Sequence, residues 1–146
     1  VRRMEIAARS MGLATRSLAL MMDHAKQRKT FGELLANRQA VQWWIADSYQ
    51  ELEMVRLVTY RLAWKIDQGA TDFRRDAAIA KVQATEMVQR VVDRAMQVHG
   101  GMGMTKALPL EYISRVARVY RVVEGPSEVH RWTLARDLLR NGLPAD

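Results

Sequence analysis

The chain has no cysteine in its 146 residues, which removes disulfides and thiolate metal ligands from consideration and fits a reducing compartment. Histidine is almost as scarce. His24, His99 and His130 are the only three, too few for a histidine-rich metal site, and no Glu-x-x-His element of the kind that di-iron bundles use in pairs is present. No metal is therefore expected. Charges interrupt every hydrophobic stretch, so no run approaches the roughly 20 apolar residues of a membrane-spanning helix, and membrane insertion is not expected. Val1-Arg2-Arg3 lacks the apolar region of a signal peptide and opens inside what already reads as helix, so the start is expected to be a domain cut. Sustained β-type alternation is missing too, and no glycine-rich turn follows a strand-like run, which argues against an α/β fold.

What is present suffices for one domain spanning 1–146, since the 49% of hydrophobic residues can build a sizeable core. The formal charge of +7 raises the question of nucleic acid. Arginines, however, recur along every helical stretch among acidic residues, with few aromatics interleaved, so solvated faces are favoured and no nucleic-acid partner is expected. A phosphate-bearing small ligand is compatible with the same field.

Helical periodicity dominates. Ala7, Met11, Ala14, Leu18, Met21 and Ala25 mark one face of a first helix over Met4 to Gln27, interrupted at Thr30 to Gly32 before a short Leu34-Leu35 link. With Asn37 as its N-cap, a second helix carries Val41, Ile45, Ser48, Leu52, Val55, Thr59, Leu62 and Ile66 and ends at Gly69. A third, from near Asp72, places Ala77, Ala80 and Ala84 on a small-residue face that permits close helix approach, then Met87, Val91, Ala95 and Val98 before Gly100-Gly101. A loop leads to a shorter helix over Pro109 to Tyr120, a break at Gly125-Pro126, and a last helix over Ser127 to Arg140. The economical architecture is all-α: an up-and-down four-helix bundle with the last helix as fourth member. Trp43 and Trp44 are adjacent, so both cannot face one core, and one is free for a subunit contact.

Three places invite chemistry. Glu124 stands at a helix break where glycine and proline forbid continuation, and a break can aim a carboxylate; the plainer reading is a loop glutamate beside Ser127 as helix cap. Glu128 falls in the first turn of the last helix, where the dipole favours a negative charge. Gly100-Gly101-Met102-Gly103 allows close backbone approach to a ligand but matches neither dinucleotide nor P-loop glycine patterns. His24 reads as a solvated or subunit-facing residue of the first helix.

Jointly, Arg28-Lys29-Thr30-Phe31-Gly32, Gln39-Ala40-Val41-Gln42, the run Gln97-Val98-His99-Gly100-Gly101 and Glu124-Gly125 resemble, in order and spacing, the C-terminal helical domain of acyl-CoA dehydrogenases. The resemblance spans nearly the whole chain. It implies the C-terminal part of a larger flavoprotein whose N-terminal helical and middle β domains are absent here, with FAD held between domains and across a subunit interface. Carried over, Arg28, Thr30, Phe31, Gln39, Gln97, Val98, His99, Gly100 and Gly101 are cofactor-binding positions, Glu124 is the catalytic base, and Val123 and Gly125 line the acyl pocket. The implied reaction is α,β-dehydrogenation of an acyl-CoA thioester, in which the base removes an α-proton while hydride leaves Cβ for the flavin. An electron-transfer flavoprotein is the implied acceptor and a homodimer or homotetramer the implied assembly. The implied location is cytoplasmic, or the mitochondrial matrix or peroxisome in a eukaryote. The isolated chain is expected to be inactive.

Departures from the family pattern point to a divergent branch with an unusual acyl group. Val123 replaces a common tyrosine, Pro126 and Glu128 replace a usual threonine and a frequent glutamine, and Arg115-Val116 replaces an Arg-Asp pair. Proline removes a hydroxyl and an amide donor, so one FAD contact is expected to be lost. Where some members place the base on the first helix, this chain has Arg2, which cannot act as one. Two other readings stand beside the dehydrogenase: a flavin-dependent monooxygenase or oxidase on the same scaffold, and a non-catalytic helical module for oligomerisation.

Overall fold

The computed structural model describes residues 2–143. Three long helices, α1 (Arg2–Gln27), α2 (Gln39–Asp67) and α3 (Arg74–His99), run up, down and up. Two shorter ones follow, α4 (Leu110–Tyr120) and α5 (Ser127–Asn141). Both descend along α3: Arg121 at the end of α4 bonds Gln89, while along α5 Arg131 pairs with Glu86 and Arg75 with Asp137. The fourth position of the bundle is thus filled by two helices in series rather than by the last helix alone. Their junction, residues 121–126, falls beside the lower half of α3.

The core is built mainly where α1 meets α3, and the small-residue faces explain the closeness. Ala7, Ser10, Ala14 and Ser17 on α1, with Ala80 and Ala84 on α3, are fully buried. Larger side chains fill the remaining space, among them Met21, Leu62, Met87 and Leu110, each fully buried and each contributing about 1.5–3 kcal/mol by leaving water. Hydroxyls of Ser10, Ser17, Ser48, Thr59 and Thr85 would be costly inside such a core if unpaired. Each donates to the carbonyl one turn earlier, at 2.6–2.9 Å, so the polarity is satisfied within its own helix.

Two local expectations need correction. Asn37 lies in a short 3-10 turn (Leu35–Asn37), and the residue capping α2 is Arg38, whose side chain makes no cap bond; Gln42 instead reaches back to the Ala36 carbonyl at 2.9 Å. Residues 29–34, read as a helix stop and link, form a minimal hairpin, β1 (Lys29–Thr30) with antiparallel β2 (Glu33–Leu34). Two-residue strands are too short for alternation to register. Its turn holds Phe31 at φ 51° and Gly32 at φ 80°, the pair of left-handed residues that a right-twisted two-residue hairpin requires. Of the two tryptophans, Trp44 packs on the core and Trp43 is exposed.

Candidate functional site

The carried-over residues fall into two groups far apart on the bundle. One occupies the end where α1 finishes, α2 starts and α3 finishes. Arg28, Gln39, Gln97, Gly100 and Gly101 are exposed there, and Thr30 is half-buried. Phe31 is 100% exposed at the hairpin tip. Arg38 braces this hairpin by donating to the Thr30 carbonyl at 2.9 Å and pairing with Glu33 at 3.3 Å. Within the Gln97–Gly101 turn, Val98 and His99 are buried, so their side chains face inward, while the Gln97 side chain is exposed.

His99 is held by two contacts. Its Nδ1 donates to the Ala95 carbonyl at 2.8 Å, and its ring stacks on His24 with centroids 4.3 Å apart. His24 is therefore half-buried against α3 rather than solvated. Burial pushes its pKa below the ordinary value, and the neighbouring His99 and Arg28 act in the same direction. The chain then turns back through a 3-10 segment (Gly100–Met104), where Gly103 lies so close to α3 that a Cβ there would sit 2.6 Å from the Met96 carbonyl oxygen.

The second group is the α4–α5 junction. Glu124 adopts φ 55°, a left-handed conformation costly for a residue with a Cβ, and Gly125 follows at φ 96°. Its carboxylate is exposed and lies 3.8 Å from the guanidinium of Arg2. Arg2, on the first turn of α1, is thus adjacent in space to Glu124. Val123 is half-exposed beside it.

Beneath the junction are two buried polar residues absent from the sequence-derived site. Lys81, fully buried on α3, donates to the carbonyls of Gly125 at 2.7 Å and Arg121 at 3.3 Å. His130, 2% exposed on α5, meets the Glu124 carbonyl at 3.0 Å through Nε2. Since a carbonyl only accepts, Nε2 carries a proton, and burial pushes the His130 pKa below its ordinary value. A lysine one position from Ala80 on an otherwise apolar face was the available signal, because lysine is almost never buried without a partner.

Ser127 does not cap α5. Pro126 occupies the cap position, and the Ser127 hydroxyl is buried with no hydrogen-bond partner among the described residues. Glu128 is exposed and lies 3.7 Å from Arg121. Elsewhere, a cleft of about 770 Å³ opens between α2, α3 and α5, but it includes none of the candidate residues. Its charges are largely spent on one another, Arg61 and Lys65 on Asp76 and Arg75 on Asp137. Arginines throughout are interleaved with carboxylates in this way, for instance Arg90 and Arg94 on Glu51. Among the described residues no helix is long and apolar enough to cross a membrane, and no group of three or more acidic or histidine side chains is placed to hold a metal ion.

The described residues define a class, a helical bundle with a carboxylate at a helix break and a separate exposed end of donors, glycine backbone and one aromatic. Comparison with known proteins makes the class specific. Residues 1–139 match the family model of the acyl-CoA dehydrogenase C-terminal domain, and the chain belongs to that family. It is 54% identical over 142 residues to (R)-benzylsuccinyl-CoA dehydrogenase of Thauera aromatica, covering 97% of this chain and 35% of that protein. Butyryl-CoA dehydrogenase from Megasphaera elsdenii superposes with a TM-score of 0.90 at 34% identity, over 94% of this chain and 36% of that one. A structure titled PigA with FAD and proline does so with a TM-score of 0.90 at 30% identity, over 96% of this chain and 37% of its own. The chain therefore spans about a third of the length of the relatives it matches.

Proposed function

We propose that the chain is the C-terminal domain of a larger FAD-dependent acyl-CoA dehydrogenase in which Glu124 is the base that removes the α-proton of an acyl-CoA thioester. The observation that carries this reading is the junction itself. Glu124 is held in a left-handed conformation between two helices, with its main chain bonded to buried groups and its carboxylate left exposed. A side chain so presented can accept a proton from a substrate seated outside the bundle, and closing water out of such a site strengthens a carboxylate as a base.

The exposed end of the bundle fits FAD. Arg28, Gln39 and Gln97 would supply hydrogen-bond donors to it, and a Cβ placed on Gly100 or Gly101 would meet nothing within 4 Å, so the backbone is open to a ligand. Phe31 is apolar, strained and fully exposed, which a covering cofactor would explain. When bound, FAD supplies the hydride acceptor. The two groups of residues stand well apart: Lys81, beneath Glu124, and His99, before the glycine turn, are separated on α3 by about 27 Å at 1.5 Å per residue. That spacing favours a division of labour in which Glu124 serves one active site and the Arg28–Gly101 end serves the flavin of a partner subunit.

A homodimer or homotetramer follows from this division. The exposed Trp43, Met54, Leu57, Tyr60 and Trp64 of α2 offer an apolar face that such an assembly, or the rest of the polypeptide, would cover. For substrate, the 54% identity to a benzylsuccinyl-CoA dehydrogenase favours an aryl-substituted succinyl thioester over a straight chain, in line with the altered residues around Glu124. An electron-transfer flavoprotein is the acceptor that the family relationship suggests. The test is turnover of a thioester panel, benzylsuccinyl-CoA included, by the full-length flavoprotein. Glu124→Gln should lose at least about 100-fold in rate, and unchanged turnover would transfer the base role elsewhere. Turnover by the isolated chain would contradict the domain assignment.

A further inference from the structure

We propose that Lys81 and His130 are positioning residues that set the direction of the Glu124 carboxylate by clamping the main chain on both sides of it. Three carbonyls of one six-residue junction, those of Arg121, Glu124 and Gly125, accept hydrogen bonds from these two side chains. The Ser127 amide adds a bond to the Arg121 carbonyl at 3.2 Å. Both clamping groups are at least nine-tenths buried, and neither bonds the Glu124 carboxylate itself, whose ion-pair partner among the described residues is Arg2. The carboxylate is thereby left free while the peptide planes that aim it are fixed.

Burying an ammonium group without counter-charge contact is costly, and a leucine-sized apolar residue would pack the same face of α3 without that cost. The lysine is accounted for by what it holds. A residue with a Cβ relaxes away from φ 55° unless its surroundings over-determine it, and at Glu124 those surroundings are the three clamped carbonyls and the glycine that follows. Gly125 is part of the device, since a Cβ there would sit 2.9 Å from His130 Nε2 and break the clamp. Glu86, Glu128, Arg121 and Arg3 are the charged groups around Lys81, and none replaces it on the carbonyls.

This inference rests on Glu124 being the base, so the experiment separates the two. In the full-length flavoprotein, Lys81→Met and His130→Leu remove the donors, His130→Gln keeps an N–H donor, and Glu124→Gln removes the base. Rapid flavin reduction is followed with butyryl-CoA and benzylsuccinyl-CoA, and crystal structures of Lys81→Met and His130→Leu are compared with the wild type. Both donor-free variants should retain FAD and bind thioester with a Kd within about threefold of wild type, yet reduce the flavin about 10- to 100-fold more slowly, as a misplacement near 1 Å entails. His130→Gln should recover most of the loss seen in His130→Leu. The crystal structures should show residues 121–126 displaced on an otherwise superposable bundle. An unmoved Glu124 backbone in both variants overturns the clamp whatever the kinetics. A wild-type reduction rate in Glu124→Gln overturns the base reading instead, leaving the structural comparison to decide the clamp alone.

Discussion

Arg2 and Glu124 approach to 3.8 Å although 122 positions separate them, which brings the first turn of α1 against the α4–α5 break. Two positions at which the family is expected to carry its base thus open onto one space. Both side chains are substantially exposed, so the ion pair itself should contribute less than about 1 kcal/mol, and Arg2→Ala should leave thermal stability nearly unchanged. The geometry predicts more for a transplant. Arg2→Glu combined with Glu124→Gln should regain measurable thioester-dependent flavin reduction over Glu124→Gln alone. A double variant as inert as the single one would mean that the two side chains do not address the same substrate atom.

Phe31 is placed for something other than the stability of this chain. It is fully exposed and left-handed at a turn whose second residue is glycine, and Asn-Gly is the preferred pair there. Phe31→Asn should stabilise the isolated 146-residue chain by up to about 1 kcal/mol in urea unfolding. The same substitution should make the full-length protein lose FAD more readily on dilution. Tighter flavin retention in the variant would remove Phe31 from the cofactor site.

For Ser127 the cap reading and the structure predict opposite signs. Loss of a true N-cap hydroxyl costs about 1 kcal/mol, whereas removing a buried hydroxyl with no partner relieves an unmet desolvation cost. Ser127→Ala should therefore leave the Tm unchanged or raise it. A fall of several degrees would restore the cap.

The two shifted histidines make stability depend on pH in a defined direction. Burial first, then His99 and Arg28 beside His24 and Arg3 and Lys81 near His130, holds both rings below the ordinary value of 6.5. Above it both are neutral in the folded and unfolded chain. As pH falls through it, the unfolded chain takes up protons first, so stability is lost until the lower folded-state values are passed. Tm should decrease between pH 7.5 and 5.5, and His24→Gln should flatten that decrease. A flat wild-type profile would be inconsistent with neutral buried rings.

The long helices could be read from the sequence because each carries six or more core positions at regular spacing, and Gly69, Gly100-Gly101 and Gly125-Pro126 punctuate them cleanly. The hairpin could not, since four strand residues hold no period. Asn37 misled because a good capping residue stands one position before the real cap, Arg38, where the preceding 3-10 turn sets the entry angle. Glu124 was visible as a carboxylate at a break. Its support was not, because Lys81 lies 43 positions earlier and the contact exists only once α4 and α5 share one groove on α3. Local pattern marks where a chain stops being helical. Which buried donor then takes hold of the freed carbonyls is decided by packing.

Glu124 as the base is tested most directly by an anaerobic titration of the full-length flavoprotein with acyl-CoA thioesters, wild type against Glu124→Gln, read as loss of flavin absorbance. Bleaching is expected in the wild type with at least one thioester, benzylsuccinyl-CoA foremost, and none in the variant while FAD and thioester still bind. Equal bleaching of the two proteins would contradict it, because the α-proton would then be leaving without Glu124.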